Sequence, residues 1–389
     1  QCQRRLQTLP PMVPGKQILA NKTISLYGVD RQYQKLKREI LDITDQVLSS
    51  GQLLDGTRTT IFEHEIAHRC NRSYAVSVNS ATQGLVFAAI CGLKAVRSSI
   101  LLPGVSFIAT LNSVLLDHRY DVSMCDVDTN GIMDLGLLEE SLTRREFTAI
   151  MYANLFGNTV DWDRFQIMSG FFGQDDMYII EDAAQSFGAS SRGVPSGKMG
   201  TVSVLSFDPT KNLNNYGSGG MVLTDDQAIR DHLLDLKNNG KEFGNQSAGT
   251  NSKMSEVDCA QMTVKLKYFD AWQQRRTEIA NYYTEQLAEY VDVPGVTEGT
   301  VPAWSKYVIR TTRRNTLRQH LIYNEIETKV TYNKPLYQEL VARHLHQPQY
   351  MDAWESERFT RECLSLPIYP ELRDSEVERI AKCVKDYFR

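Results

Sequence analysis

The sequence predicts an α/β fold, a mostly parallel sheet covered by helices with a smaller α/β part after it. Short apolar or alternating runs at residues 74–78, 99–103, 122–127, 149–155, 177–180 and 201–207 read as strands. Helical stretches separate several of these strands, and that alternation calls for parallel pairing with both sheet faces covered. A chain of 389 residues, 42% hydrophobic and 23% charged, is long enough for one large and one smaller domain.

Composition narrows the function. A net charge of −4 is small for this length and offers no concentrated basic face to a nucleic acid. The seven cysteines include no CxxC pair and read as reduced thiols of a cytoplasmic protein. No apolar run approaches the ~20 residues of a membrane helix. Residues 1–23 are basic, hold three of the twelve prolines and lack an apolar h-region, so they are expected to form a loose tail rather than a signal peptide.

From Ile24 onward the elements follow in order. Tyr33, Leu36, Ile40, Ile43, Val47 and Leu48 recur at helical spacing, and Gly51 ends that helix. A second helix is expected to bury Ile61, Phe62, Ile66 and Ala67. On it, His64-Glu65-Ile66-Ala67-His68 spells HExxH, the spacing that places two imidazoles on one helical face. No third ligand follows at the usual offsets, since positions 71 and 74 are Asn and Tyr, so a solvated face is the reading and no metal is expected. The strand 74–78 runs into Ser80-Ala81-Thr82 and an apolar helix. Small hydroxyl residues at a helix start form an anion cradle, because the first amides have no intrahelical acceptor; a plain N-cap by Ser80 or Thr82 is the other reading.

The stretch from Ile179 to Asp226 carries the chemistry. One strand ends in Glu181-Asp182, and alternation sends these neighbours to opposite faces, so each carboxylate acts alone. The next strand ends at Ser206 and leads to Lys211. A lone buried carboxylate facing a lysine, with a hydroxyl and several glycines nearby, suits pyridoxal 5'-phosphate. Lysine supplies a Schiff base, Asp partners the pyridine nitrogen, and hydroxyls with amides hold the phosphate. Two other motifs fail on counting. GVPSGKMG has three residues between Gly193 and Gly197 and no Ser or Thr after Lys198, so it is not a P-loop. The glycines at 217–220 precede a strand rather than a helix, which removes a dinucleotide reading and leaves a turn that brings backbone close to a cofactor.

In EDAAQSFGA, SFDPTKNL and YGSGGMVLTDD, in that order and spacing, the chain resembles the DegT/DnrJ/EryC1/StrS family over nearly its whole length. These are sugar-nucleotide aminotransferases with the type I, aspartate aminotransferase-like, fold. The resemblance implies Lys211 as the Schiff-base lysine and proton shuttle and Asp182 as the partner of the ring nitrogen. It implies cofactor contacts at Phe107, stacked on the ring, at Gln185 and at Ser206. SATQGL stands where the family has SGTxAL, which carries the phosphate cradle onto Ser80, Ala81 and Thr82. Asn251-Ser252-Lys253 resembles Asn-x-Arg, whose Asn reaches the phosphate of the neighbouring subunit. Lys253 keeps the charge there and loses the bidentate fork. Thr331-Tyr332-Asn333-Lys334-Pro335-Leu336 replaces HYPxPL and places Tyr332, Asn333 and Lys253 as substrate contacts.

The remaining chain reads as one long helix over 256–290, a strand at 305–311, a helix at 315–324, a strand at 328–332 and a terminal helix at 374–387. The expected division is a tail at 1–23, a large cofactor-binding domain at 24–268 and a small C-terminal domain at 269–389. The expected activity moves an amino group, with L-glutamate as donor, onto a 3-keto or 4-keto nucleotide-linked deoxysugar, in a homodimer with shared active sites. Gln185 in the EDAA motif, where relatives have His, favours the 3-keto substrate. The alternative is a regulatory protein that binds the cofactor or a sugar nucleotide without turnover.

Overall fold

The computed structural model describes residues 23–92, 98–116, 119–171, 177–243, 248–345, 349–350 and 353–389; the tail up to residue 22 and part of the loop after α7 lie outside them. The strands are β1 (Tyr74–Val78), β2 (Ser98–Pro103), β3 (Tyr120–Cys125), β4 (Ala149–Ala153), β5 (Tyr178–Asp182), β6 (Ser190–Ser191) and β7 (Val194–Pro195). They continue with β8 (Val202–Ser206), β9 (Gly220–Thr224), β10 (Thr300–Val301), β11 (Tyr307–Arg310), β12 (Gln349–Tyr350) and β13 (Cys363–Leu366). Eight of them form one sheet in the order β1-β9-β8-β5-β4-β2-β3-β12. All its pairings are parallel except those of β9, which runs against both β1 and β8.

Two apolar layers sandwich this sheet because its strands bury side chains on both faces. Ile100 and Leu102 join one cluster and Leu101 the other, and Ala149 and Met151 oppose Ile150 and Tyr152 in the same way. Such two-sided burial explains why these strands read as continuous apolar runs. On the first face lie α3 (Ala81–Cys91), α4 (Ile108–Leu115) and α7 (Gln227–Lys237). On the second lie α5 (Leu135–Arg144) and α6 (Trp162–Phe171). A third cluster gathers Ile24 with residues of β11, β13, α9 (Phe269–Leu287), α10 (Arg314–Tyr323) and α12 (Asp374–Phe388). There β11 and β13 form a separate antiparallel pair.

Several sequence expectations are corrected. In α1 (Val29–Ser50), Leu36, Ile40 and Val47 are buried while Leu48 is 57% exposed; Gly51 ends the helix at φ +71°. In α2 (Thr57–Arg69), Phe62 and Ile66 face inward and Ile61 is 38% exposed. At 100° per residue, a side chain next to a narrow buried stripe turns out of it. His64, Glu65 and His68 are exposed on the same helix. The long helix over 256–290 is two, α8 (Glu256–Leu266) and α9. Tight turns from Lys267 N to Val264 O and from Tyr268 N to Lys265 O break it. The break lets α8 pack on α1 and α2 while α9 packs on α12. Residues 328–332 form no strand; only Lys329 bridges to Ser365. Between α10 and β13 the described residues form two short 3-10 turns, β12 and α11 (Trp354–Glu362).

Glu181 ties the centre of the sheet together. Its fully buried carboxylate accepts from Asn154 Nδ2 at 2.9 Å, Ser196 Oγ at 2.7 Å, Met199 N at 3.0 Å and Ser203 Oγ at 2.6 Å. Gly197 N lies 3.2 and 3.0 Å from its two oxygens. An amide at this position would turn an –NH₂ toward at least two of these donors. Glu181→Gln is therefore expected to lower unfolding free energy by about 2–4 kcal/mol, read from urea titration. An unchanged midpoint would show that this network is not what fixes β5.

Candidate active site

The antiparallel strand β9 brings two chain directions together. Because it runs against both β1 and β8, those two strands point the same way, and their C-terminal ends meet its start: Gly220 pairs with both Val78 and Ser206. The C-terminal ends of β5, β4 and β2 lie on the same side, and ligands of open α/β sheets bind at that edge. A cavity of about 460 Å³ opens there. Of the residues singled out from sequence, Ser80, Ala81, Thr82, Phe107, Asp182, Gln185, Ser206, Lys211 and Tyr332 line it.

One end of the cavity is built for an anion. Ser80, in extended conformation, caps α3 by accepting from Gln83 N at 3.2 Å. The cap and the cradle thus coexist, since the amides of Ala81 and Thr82 precede the first residue with an acceptor inside the helix. A Cβ on Gly220 would lie 2.6 Å from Ala81 N and 2.7 Å from the Ser80 carbonyl carbon, so only glycine lets β9 approach this turn. Ser206 and Ser218 add hydroxyls to the same lining.

Asp182 and Lys211 supply the charges. Asp182, the last residue of β5, points away from the Glu181 network, as alternation requires. Its Oδ2 accepts from Thr110 Oγ1 at 2.8 Å and its Oδ1 from Ala184 N at 3.2 Å. Thr110 is held in turn by Ser106 Oγ at 2.7 Å. Burial pushes the Asp182 carboxyl up, opposed by these hydrogen bonds and by the charge of Lys211. Lys211 follows a turn that Asp208 fixes by accepting from Thr210 N at 3.0 Å and Thr210 Oγ1 at 2.7 Å. Burial pulls its ammonium down, opposed by the charges of Asp182 and Asp208.

Gln185 and Tyr332 form another wall. Gln185 Nε2 donates to Tyr332 Oη at 2.8 Å and its Oε1 accepts from Phe156 N at 3.1 Å. Phe107, at the N-cap of α4, is 51% exposed with its ring 6.2 Å from that of Tyr332. Asn251, Lys253 and Asn333 do not line the cavity of the single chain. Asn251 and Asn333 are exposed, and Lys253 donates to Asn238 Oδ1 at 2.6 Å, beside Asp55. Among the described residues no three His, Cys, Asp or Glu side chains converge as metal ligands.

Sequence reasoning missed Thr110, Lys306 and Lys329, of which the two lysines line the cavity and Thr110 lies behind Asp182. Thr110 was signalled by the hydroxyl pair Ser106 and Thr110 at helical spacing; Lys306 and Lys329 had only their place beside apolar runs. The donor set fits pyridoxal phosphate: amides and hydroxyls for a phosphate at Ser80–Thr82 and Ser206, a buried carboxylate at Asp182, an amine at Lys211, and a cavity of ligand size.

Comparison with known proteins bears on family and fold. The profile of the DegT/DnrJ/EryC1/StrS aminotransferase family matches residues 34–385. The chain is 31% identical over 360 residues to a dTDP-3-amino-3,4,6-trideoxy-alpha-D-glucose transaminase of Streptomyces venezuelae, covering 91% of this chain and 93% of that one. It is 30% identical to the erythromycin biosynthesis sensory transduction protein EryC1 of Saccharopolyspora erythraea, covering 91% and 96%. The crystal structure of S. venezuelae DesV superposes with a TM-score of 0.88 at 30% identity, covering 95% of this chain and 99% of DesV.

The burial of Lys211 sets a test on cofactor-free protein. Its ammonium releases its proton below the ~10.4 of an exposed lysine, so reductive methylation at Lys211 begins at lower pH than at surface lysines. The Asp182 charge favours the ammonium, so Asp182→Asn is expected to move that onset lower still. Peptide mass spectrometry across pH reads both, and a Lys211 that titrates with the surface lysines contradicts the assignment.

Proposed function

The chain belongs to the DegT/DnrJ/EryC1/StrS aminotransferase family, and on that premise we propose that it transfers an amino group from L-glutamate to a keto carbon of a nucleotide-linked deoxysugar. Facing Asp182 and Lys211 in one cavity is the observation that carries the reading. The S. venezuelae relative, by its name a transaminase of a 3-amino sugar, favours C3 as the position, as does Gln185 in the EDAA motif.

Bound pyridoxal phosphate supplies an aldehyde for the amine and a ring that takes up the electron pair left when an amino acid loses its α-proton. The chain's residues do the rest. Ser80 Oγ, Ser206 Oγ and the first amides of α3 hold the phosphate. Asp182, supported by Thr110 Oγ1 and Ala184 N, keeps a proton on the ring nitrogen. Lys211 Nζ anchors the cofactor. Once freed it would be a base of lowered affinity for protons, suited to take the α-proton and return it. Phe107 covers the ring, and Gln185 with Tyr332 bounds the substrate side.

In this reading the active unit is a homodimer. Asn251 is exposed and outside its own chain's cavity, which suits a residue given to a partner's phosphate site, with Lys253 beside it. Asn333 is exposed and follows the cavity-lining Tyr332 in sequence, and it is kept as a contact to the sugar nucleotide. The division near residue 268 coincides with the break between α8 and α9. No described helix is long and apolar enough to cross a membrane, in keeping with a cytoplasmic setting. The second reading, cofactor binding without turnover, is favoured by the sensory transduction name of the S. erythraea relative.

Borohydride reduction of the loaded protein followed by peptide mapping is expected to place a phosphopyridoxyl group on Lys211. Glutamate is then expected to yield 2-oxoglutarate, and Lys211→Ala to reduce that rate by at least about 10³-fold. Label without 2-oxoglutarate would favour the regulatory reading; loaded protein without label at Lys211 removes both the attachment and the mechanism.

A further inference from the structure

The part of the chain around β11 and β13 brings positive charge into the cavity. Lys306 immediately precedes β11, and Lys329 is joined to β13 through Ser365, N to O at 3.3 Å and back at 2.8 Å. Both lysines line the cavity, and among the described residues the only acidic ones in its lining are Asp182 and Asp208 of the large-sheet part. Lys306 is 6% exposed. Among the described residues its ammonium has no carboxylate within ion-pair distance. Burial and the nearby charges of Lys211 and Lys329 disfavour its ammonium, and a bound anion would favour it.

The location says which ligand. Lys306 N donates to Phe156 O at 3.3 Å, and Phe156 N donates to Gln185, which holds Tyr332. Lys306 and Lys329 therefore flank the Gln185–Tyr332 wall, while Ser80, Thr82 and Ser206 serve the phosphate elsewhere. An amino-acid donor carries an α-carboxylate that must be met when its amine is at Lys211. Apart from Lys211 itself, Lys306 and Lys329 are the cationic side chains in the lining.

We propose that Lys306, assisted by Lys329, forms a carboxylate subsite that holds the acidic group of a co-substrate beside Gln185 and Tyr332. The inference rests on the aminotransferase reading of the cavity. The carboxylate has two sources: the amino-acid donor, or an acidic sugar acceptor. Lys306 is a specificity-determining residue here, and the proton chemistry stays with Lys211.

The test uses loaded protein in wild-type, Lys306→Gln, Lys306→Arg and Lys329→Gln forms, each first mapped for label at Lys211. Calorimetric titration with glutarate, against uncharged glutaramide, reads the donor source. UDP-glucuronate against UDP-glucose reads the acceptor source. Glutarate is expected to bind about tenfold or more weakly to Lys306→Gln, less weakly to Lys329→Gln, and nearly normally to Lys306→Arg, with glutaramide unchanged. A loss confined to UDP-glucuronate supports the same subsite and assigns it to the sugar. If Lys306→Gln does not fold, the exposed Lys329→Gln carries the comparison. Unchanged titrations in both arms overturn the proposal. Absence of label at Lys211 in the wild type overturns the aminotransferase reading instead.

Discussion

The site depends on the alternation of side chains across one strand end. Glu181 and Asp182 are adjacent in sequence and both buried, and β5 can accommodate two carboxylates only by sending them to opposite faces. Glu181 takes five donor groups and fixes the turn from Ser196 to Met199 and the start of β8. That leaves Asp182 in one orientation with two donors and a face toward the cavity. Were the register of β5 to slip by one residue, the two carboxylates would exchange roles and the cavity would lose its charge partner.

Burial then does chemical work on both charged groups. It raises the proton affinity of Asp182 and lowers that of Lys211, while each charge opposes the shift of the other. Shifts of opposite sign at two facing groups in one cavity are the pattern expected of a functional site. A cation placed at Asp182 would favour its charged form, and an amine without a bound proton would suit the nucleophile and base proposed at Lys211. Lys306 is displaced in the same direction as Lys211, by burial first and then by the charges of Lys211 and Lys329. Among the described lining residues three lysines face two aspartates, and a bound anion would favour the charged form of Lys306.

Much of this was legible in sequence. The apolar strand runs, the helix stop at Gly51 and the separation of Glu181 from Asp182 follow from local periodicity, which burial on both sheet faces preserves. The grouping of Ser80, Phe107, Asp182, Gln185, Ser206 and Lys211 was legible through motif order, since each follows or ends a strand of the same sheet. Thr110, Lys306 and Lys329 were not, because their roles depend on contacts between distant segments: Thr110 on Asp182, and the lysines on how β11 and β13 meet the large sheet. The break between α8 and α9 was also hidden. Apolar spacing continues through it, and only packing against different partners separates the two axes. Residues 328–332 have strand-like composition, yet their pairing with β13 is limited to the bridge at Lys329.

In the proposed function Asp182 holds a proton on the cofactor's ring nitrogen from within a pre-set hydrogen-bond frame. Loading the protein with ¹⁵N-labelled pyridoxal phosphate and recording the ring-nitrogen chemical shift tests it directly. The shift is expected to be that of a protonated pyridine throughout the neutral pH range in the wild type, and that of the unprotonated ring in Asp182→Asn. An identical shift in both proteins would contradict the claim and remove Asp182 from the chemistry.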